Sequence, residues 1–111
     1  MNKRERRLSE NELLFREVNE RLEELNESFG SITGEAAYVC ECADAACIEQ
    51  IRLTLGEYER IRSDPTLFAI VPGHVLLEIE EVVAETTRHQ VVRKRPGGPA
   101  EIATATDPRE G

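Results

Sequence analysis

The sequence has 111 residues, a net charge of −8 at pH 7 and no tryptophan, so we expect one small domain with an aliphatic core. Between residues 8 and 87 it has five basic and eighteen acidic residues, a balance that excludes a phosphate-neutralising surface for nucleic acid. It has no run of 18 apolar residues, which excludes a membrane-spanning helix and gives no reason to expect a membrane partner.

Residues 1–8 are rich in lysine and arginine, and we predict that they form a disordered basic leader. A capping box follows, in which Ser9 would accept hydrogen bonds from backbone amides and Glu12 would reach back to the cap. This box predicts the start of a helix of about five turns, and Gly30 is a typical residue to end it.

The predicted helix carries apolar residues at spacings of three and four, which places them on one face. This stripe consists of Leu14, Val18, Leu22, Leu25 and Phe29. We expect the stripe to pack on the sheet of the same domain. Its near-heptad spacing also fits pairing with a second copy, as a homodimer, or with a helix of another protein. The remaining faces are acidic, which favours a protein partner over a membrane.

A β-hairpin is predicted next. Residues 36–42 are typical of a strand, residues 43–46 of a short loop, and residues 51–55 alternate apolar and polar side chains as a half-buried strand does. All three cysteines would then lie at the tip of this hairpin.

The second half of the chain predicts one more helix and three more strands. Thr54 and Glu57 form a second capping box that would open a short helix, which Asp64-Pro65 would end. Apolar residues 68–71 predict a buried strand. Two further strands are predicted, at residues 78–83 and 90–93, although the first also fits a helical period.

Residues 96–111 are predicted to be a disordered tail because of their proline, glycine and small polar residues. Residues 9–95 would form a single zinc-stabilised domain. Its predicted class is α+β, with an N-terminal amphipathic helix, a cysteine-tipped β-hairpin, a short second helix and additional antiparallel strands in a small sheet.

The cysteines are the feature that carries chemistry. Cys40, Cys42 and Cys47 fall within eight residues, and the chain has no other cysteine. In a strand, positions 40 and 42 point to the same face while Glu41 faces away, and the following loop is long enough to return Cys47 to the same point. Three thiolates this close together predict a zinc site.

Zinc in a structural site takes four ligands, so a fourth donor is needed. His74 is our candidate, because a tight Pro-Gly turn after an apolar strand would hold its imidazole near the hairpin tip. His89, Asp44 or water could fill the position instead. A closed set of Cys40, Cys42, Cys47 and His74 would be structural, because it leaves no open coordination position for catalysis.

Other interpretations of the cysteines stay open. They could be buried free thiols, or Cys42 and Cys47 could form a redox switch. A disulfide between Cys40 and Cys42 is disfavoured by strand geometry. The N-terminus does not lead into the apolar segment of a signal peptide, so we expect the reducing cytoplasm, where clustered thiols more often bind metal than cross-link.

An enzyme is the least favoured class of function. The sequence contains no nucleophile elbow and no phosphate-binding glycine loop. The carboxylate pairs Glu57 and Glu59, and Glu80 and Glu81, are expected on solvated faces, where nothing would shift their pKa toward acid–base chemistry. We predict no catalytic residue.

Several of these features occur together in a known family. They are the helix segment of residues 15–20, Val39-Cys40-Glu41-Cys42, Cys47, residues 53–59, Arg62, Asp64-Pro65, Phe68, Val71-Pro72-Gly73-His74 and Glu81-Val82-Val83. Over roughly residues 12–94 the chain resembles a family of small uncharacterised proteins of high-GC Gram-positive bacteria, with a Cys-x-Cys-x4-Cys…Pro-Gly-His pattern. The resemblance implies that the cysteines and the histidine act as one unit, and it implies no reaction. Val75-Leu76-Leu77 departs from the more polar stretch of that family.

Together these features predict a small cytoplasmic zinc-binding protein that acts as a protein-interaction or regulatory module. Its partner would be another protein, bound through the acidic N-terminal helix. A thiol-based redox or metal sensor is the alternative.

Overall fold

The structure, a computed structural model, describes residues 1–29 and 34–109, without the side chains of residues 26–29. Its elements in chain order are α1 (Lys3–Phe29), β1 (Glu35–Val39), β2 (Gln50–Thr54), α2 (Leu55–Arg62), β3 (Leu67–Ile70), β4 (Glu80–Glu85), β5 (Gln90–Lys94) and α3 (Gly98–Ala105). This order confirms the predicted α+β class. Gly30 and the side chain of Phe29, to which the sequence assigned the helix end and the last stripe position, lie outside the described residues.

The strands form two small antiparallel sheets. β1 and β2 pair as the predicted hairpin, with Tyr38 opposite Ile51, and side chains alternate between buried and exposed along β2. The second sheet has the order β3-β5-β4. β4 is a strand rather than the alternative helix, and its register with β5 shifts between Val82 and Ala84.

Two apolar clusters fill the interior. The first joins the β1–β2 hairpin to α2, and within it the rings of Tyr38 and Tyr58 stack with centroids 4.4 Å apart. The second contains two of the cysteines, and its members are Cys40, Cys42, Phe68, Ile70, Val92 and Ala103. The end of the hairpin is therefore packed against the second sheet and α3.

α1 begins at Lys3, so the predictions of a disordered leader at residues 1–8 and of a helix start at Ser9 were wrong. The side-chain oxygen of Asn2 accepts a hydrogen bond from the Glu5 amide at 2.7 Å, which is the contact of an N-terminal cap. Ser9 lies inside the helix and is buried. The Asn2 side chain satisfies the backbone amide of Glu5 in the first turn. The helix can therefore begin at Lys3 and include the basic residues.

The fully buried residues of α1 are polar. Its buried residues, at spacings of three and four, are Ser9, Glu12, Arg16, Asn19 and Glu23. Arg16 donates hydrogen bonds to the backbone carbonyls of Pro65 and Ala103 at 2.8 and 3.0 Å. The expectation that the apolar stripe packs on the sheet is therefore wrong for three of its four described members. Leu22 is half-buried, and three members are exposed, namely Leu14, Val18 and Leu25.

The tail predicted to be disordered at residues 96–111 contains α3. Pro99 lies in the first turn, where its missing amide costs no helical hydrogen bond, and Ala103 is fully buried. Beyond this helix the guanidinium of Arg109 pairs with three carboxylates of α1 and α2, those of Glu20, Glu23 and Glu59. The tail is therefore packed on the domain through two buried residues, Pro99 and Ala103, and several ion pairs.

The second capping box is confirmed. The Glu57 amide donates to the Thr54 hydroxyl at 3.0 Å, and the Thr54 amide donates to the Glu57 carboxylate at 2.8 Å. This bond from the Thr54 amide lowers the pKa of Glu57. The local sequence was thus sufficient to predict the start of this helix.

One carboxylate expected on a solvated face is fully buried. Glu80 lies 3.2 Å from the ammonium of Lys94, which also pairs with Glu12 of α1. The expectation of solvation was wrong for Glu80 because Lys94, on the neighbouring strand, faces the same interior.

Within the described ranges, no helix has the length and apolarity needed to cross a bilayer.

Candidate metal centre

Three separate segments bring the predicted ligands together. Cys40 and Cys42 follow β1, Cys47 lies in the loop before β2, and His74 follows β3. One ligand atom from each of the four lies within 4.8 Å of all the others. The structure therefore places the predicted metal-binding set in one cluster.

The segment that carries the first two cysteines is not part of a regular strand, since pairing in β1 ends at Val39. The Cys40 amide donates to the Glu49 carbonyl at 3.1 Å, and the Glu41 amide donates to the Ala69 carbonyl at 2.8 Å. The segment is thus hydrogen-bonded to the residue before β2 on one side and to β3 on the other. This bridging position, rather than a longer strand, brings Cys40 and Cys42 toward the segment that carries the histidine.

Glu41, expected to face away from the metal, is fully buried and bonded on its own side of the chain. Its carboxylate accepts hydrogen bonds from Asn19, from the Tyr58 hydroxyl and from the Ala69 amide, at 2.8, 3.0 and 3.0 Å. Burial raises the pKa of Glu41, and these donors oppose the rise. The three bonds fix the backbone between the two cysteines.

A turn at Asp44 returns the chain to the cluster. The Asp44 carbonyl accepts from the Cys47 amide at 3.0 Å, and the Asp44 carboxylate accepts from the Ala46 amide at 2.9 Å. Asn11 of α1 donates to the Ala43 carbonyl at 2.7 Å. Asp44 therefore shapes the loop that positions Cys47, and it is not part of the ligand cluster.

His74 is held by the predicted turn. Gly73 adopts a φ of +89°, a value that favours glycine, and the His74 amide donates to the Val71 carbonyl at 3.0 Å. The Nδ1 atom of His74 lies 3.6 Å from the sulfur of Cys40 and 3.8 Å from that of Cys47. The imidazole nitrogen that faces the thiols is thus Nδ1.

These distances suit a tetrahedral metal. Zn–S bonds of about 2.3 Å and Zn–N bonds of about 2.0–2.1 Å give S···N edges of about 3.5–3.6 Å. The two S···N distances from His74 are close to that edge, so the positions of Cys40, Cys47 and His74 match two edges of a tetrahedral zinc site.

The other nitrogen of the imidazole has its own partner. His74 Nε2 lies 2.9 Å from the carboxylate of Glu49. In metal sites the ligating histidine commonly donates its second N–H to a carboxylate, which fixes the tautomer and the ring orientation. Sequence reasoning missed Glu49, because a single acidic residue near Cys47 in an acidic chain is not distinctive.

The thiols influence one another strongly. A hydrogen bond with Cys40 lowers the pKa of Cys42 to about 5, and His74 adds to this effect. The same bond to Cys42, together with burial, raises the pKa of Cys40. The Val71 amide also donates to the sulfur of Cys40 at 3.2 Å. The lowered pKa of Cys42 favours its thiolate form, which is the form that binds metal.

The alternative donors are elsewhere. His89 is buried beside Thr86, whose hydroxyl lies 3.1 Å from its Nδ1 atom, and it is not part of the cluster. Burial lowers the pKa of His89. All three cysteines are free thiols rather than disulfides. The four predicted residues are therefore the set that the structure brings together.

The cluster is reached from one side by an apolar pocket of about 310 Å³. Cys42 and His74 form part of its wall, and the other residues that line it include Leu8, Ala43, Val75 and Leu76.

Comparison of the chain with known protein families, with curated proteins and with solved structures found no match in any of the three.

Proposed function

We propose that the protein binds one structural zinc ion through Cys40, Cys42, Cys47 and His74 and acts in the cytoplasm as a protein-interaction or regulatory module. The observation that carries the proposal is the meeting of four suitable donor atoms within 4.8 Å of one another. The Glu49 carboxylate, 2.9 Å from His74 Nε2, supports it, because a metal-ligating histidine commonly donates its second ring N–H to a carboxylate.

Zinc is the metal that this donor set favours. Thiolate sulfur and imidazole nitrogen suit Zn²⁺, whereas Mg²⁺ and Ca²⁺ prefer oxygen ligands. Four protein ligands complete a tetrahedron and leave no position for a bound water, so the site supports folding rather than hydrolysis. The cytoplasm fits three free cysteines, because its thiols are kept reduced.

The interaction role is supported by the first helix. α1 shows three large apolar side chains to solvent while its polar face is bonded to the domain. Exposed apolar residues that share one helix face commonly mark a binding surface.

Elemental analysis of protein purified without a histidine tag tests the metal proposal. We expect about one zinc per chain, and loss of most of it in Cys42→Ser, because three ligands hold zinc far more weakly than four. Ala45→Ser is the matched control, since Ala45 is exposed in the same loop. Metal-free wild-type protein, or equal zinc in Cys42→Ser, would contradict the proposal.

A thiol-based sensor is the second candidate, and one observation favours it. Cys47 is only partly buried, and the His74 side chain keeps 29% of its exposure, so an oxidant can reach two of the four ligands. Peroxide at about one equivalent should release zinc within minutes if the site is a sensor, because accessible thiolates oxidise first. Retention of zinc under these conditions would contradict the sensor role and favour the structural role.

A further inference from the structure

The exposed apolar stripe of α1 has a defined geometry. Leu14, Val18 and Leu25 keep 62%, 38% and 55% of their exposure. Their spacings of four and seven residues place them at the a and d positions of a heptad, and Arg21 occupies the remaining position between them. We name Leu14, Val18, Arg21 and Leu25 the α1 seam.

α1 cannot bury its seam by rotating, because its opposite face is bonded to the domain. Asn19 exchanges hydrogen bonds of 2.8 Å with the backbone of Val39 and donates to Glu41. Rotation of α1 would break these bonds, and the buried Glu41 carboxylate would lose the hydrogen bond that it accepts from Asn19. Among the described residues nothing covers the seam, so a second molecule could bind there.

One edge of the seam is acidic. Glu10, Glu17 and Glu24 recur every seven residues on exposed positions beside it, and Glu17 pairs with Arg21 at 3.9 Å. The other edge carries Phe15 and Leu22, which are half-buried. A molecule that covers the seam thus meets a row of carboxylates on its open side.

This charge pattern disfavours a second copy of the chain. In an antiparallel pair the glutamate rows of the two helices face each other, which is repulsive. In a parallel pair the two Arg21 side chains meet inside the seam. A membrane is disfavoured too, because carboxylates at the edge repel anionic headgroups.

We propose that the α1 seam binds an amphipathic helix of another protein, with lysine or arginine along the edge that faces Glu10, Glu17 and Glu24. An acidic side chain on that partner, placed opposite Arg21, would set the register. This inference rests on the proposed interaction role and adds the chemistry of the partner. It does not depend on which metal the cysteines bind.

A synthetic peptide tests the proposal on the full-length protein. The probe is a fluorescent 21-residue helix with leucine at a and d, lysine at the flanking positions and one glutamate opposite Arg21. We expect saturable binding by fluorescence anisotropy, and at least a tenfold rise in Kd for Leu14→Glu and Val18→Glu. Leu77→Glu is the matched control, because Leu77 is 63% exposed but lies outside the seam, and its Kd should not change.

Two further arms separate apolar and charge recognition. A peptide of the same composition, with its leucines scattered around the helix, should bind at least tenfold more weakly. In Glu17→Lys/Glu24→Lys, the lysine probe should bind more weakly and a glutamate-flanked probe more tightly, because the edge charge is reversed.

Several results would overturn the proposal. These are absence of probe binding, equal binding of the scattered peptide, concentration-dependent dimerisation in sedimentation that Leu14→Glu abolishes, and seam-dependent binding to vesicles with 30% phosphatidylserine. Zinc content is measured on every variant. Normal zinc with no probe binding refutes the seam alone, whereas absent zinc with normal probe binding refutes the metal proposal alone.

Discussion

The pairing of His74 with Glu49 gives the imidazole two functions at once. Its Nδ1 atom faces the sulfurs of Cys40 and Cys47, and its Nε2 atom lies 2.9 Å from the Glu49 carboxylate. A ligating imidazole with a carboxylate behind it is the more basic donor and is held in one tautomer. Glu49 should therefore strengthen metal binding without touching the metal.

We expect Glu49→Gln to lower zinc affinity about 10–100-fold, because an amide supports the imidazolium-like charge on the ligand less well than a carboxylate. Competition with a chromophoric chelator measures the change. Glu101→Gln removes an exposed carboxylate on α3 and should leave the affinity unchanged. An unchanged affinity for Glu49→Gln would contradict the supporting role of Glu49.

At the scale of elements, α1 is joined to the second sheet by a buried ionic triad. The Lys94 ammonium of β5 pairs with Glu12 of α1 and with Glu80 of β4, and all three side chains are fully buried. The ammonium also lies 5.2 Å from the centre of the Phe68 ring. Burial lowers the pKa of Lys94 and raises that of Glu80, because both charged forms lose hydration.

Lys94→Met should lower the free energy of unfolding by about 3–5 kcal/mol, because it leaves two buried carboxylates without a countercharge. Urea unfolding monitored by circular dichroism measures the loss.

The triple variant Glu12→Gln/Glu80→Gln/Lys94→Met removes every charge of the triad and should recover a large part of that stability. A triple variant no more stable than Lys94→Met would argue against the charge explanation and indicate that the shape of the lysine side chain matters more.

At the scale of the whole molecule, the candidate metal centre brings together parts of the chain that are far apart in sequence. Its ligands follow β1, precede β2 and follow β3, so one ion would connect the hairpin to the second sheet. Structural zinc sites have apparent binding free energies of about 10–16 kcal/mol, comparable with the total stability of a small domain, about 5–15 kcal/mol.

Removal of metal by a chelator should therefore lower the melting temperature by tens of degrees or abolish cooperative melting, and added zinc should restore it. Circular dichroism melting with and without chelator measures this effect. Cys42→Ser should melt like the chelated wild type and should not respond to the chelator. A wild type that melts identically in both conditions would show that the fold does not depend on a metal.

Local sequence was sufficient where neighbouring residues complete the interaction. The capping box of Thr54 and Glu57 formed as predicted, since both partners lie within one turn. The hairpin followed from alternation along residues 51–55. The metal set could be named because few residue types donate sulfur or imidazole nitrogen, and the chain has three cysteines and two histidines.

Prediction failed where the partner of a residue lies far away in sequence. Apolar periodicity predicted that Leu14 and Val18 would be buried, but Arg16 and Asn19 meet backbone carbonyls of Pro65 and Val39 instead. Helix periodicity reveals which residues share a face. It does not reveal which face packs on the domain when the opposite, polar face can bind backbone groups from distant segments.

The sequence by itself determined the class of fold, the cysteine-tipped hairpin and the identity of the candidate ligands, because these depend on short-range patterns and on side-chain chemistry. Only the tertiary structure decided the orientation of α1, the packing of α3 and the place of Glu49 behind His74. Each of these depends on pairs of groups that folding brings together from distant segments, and no local pattern records such pairs.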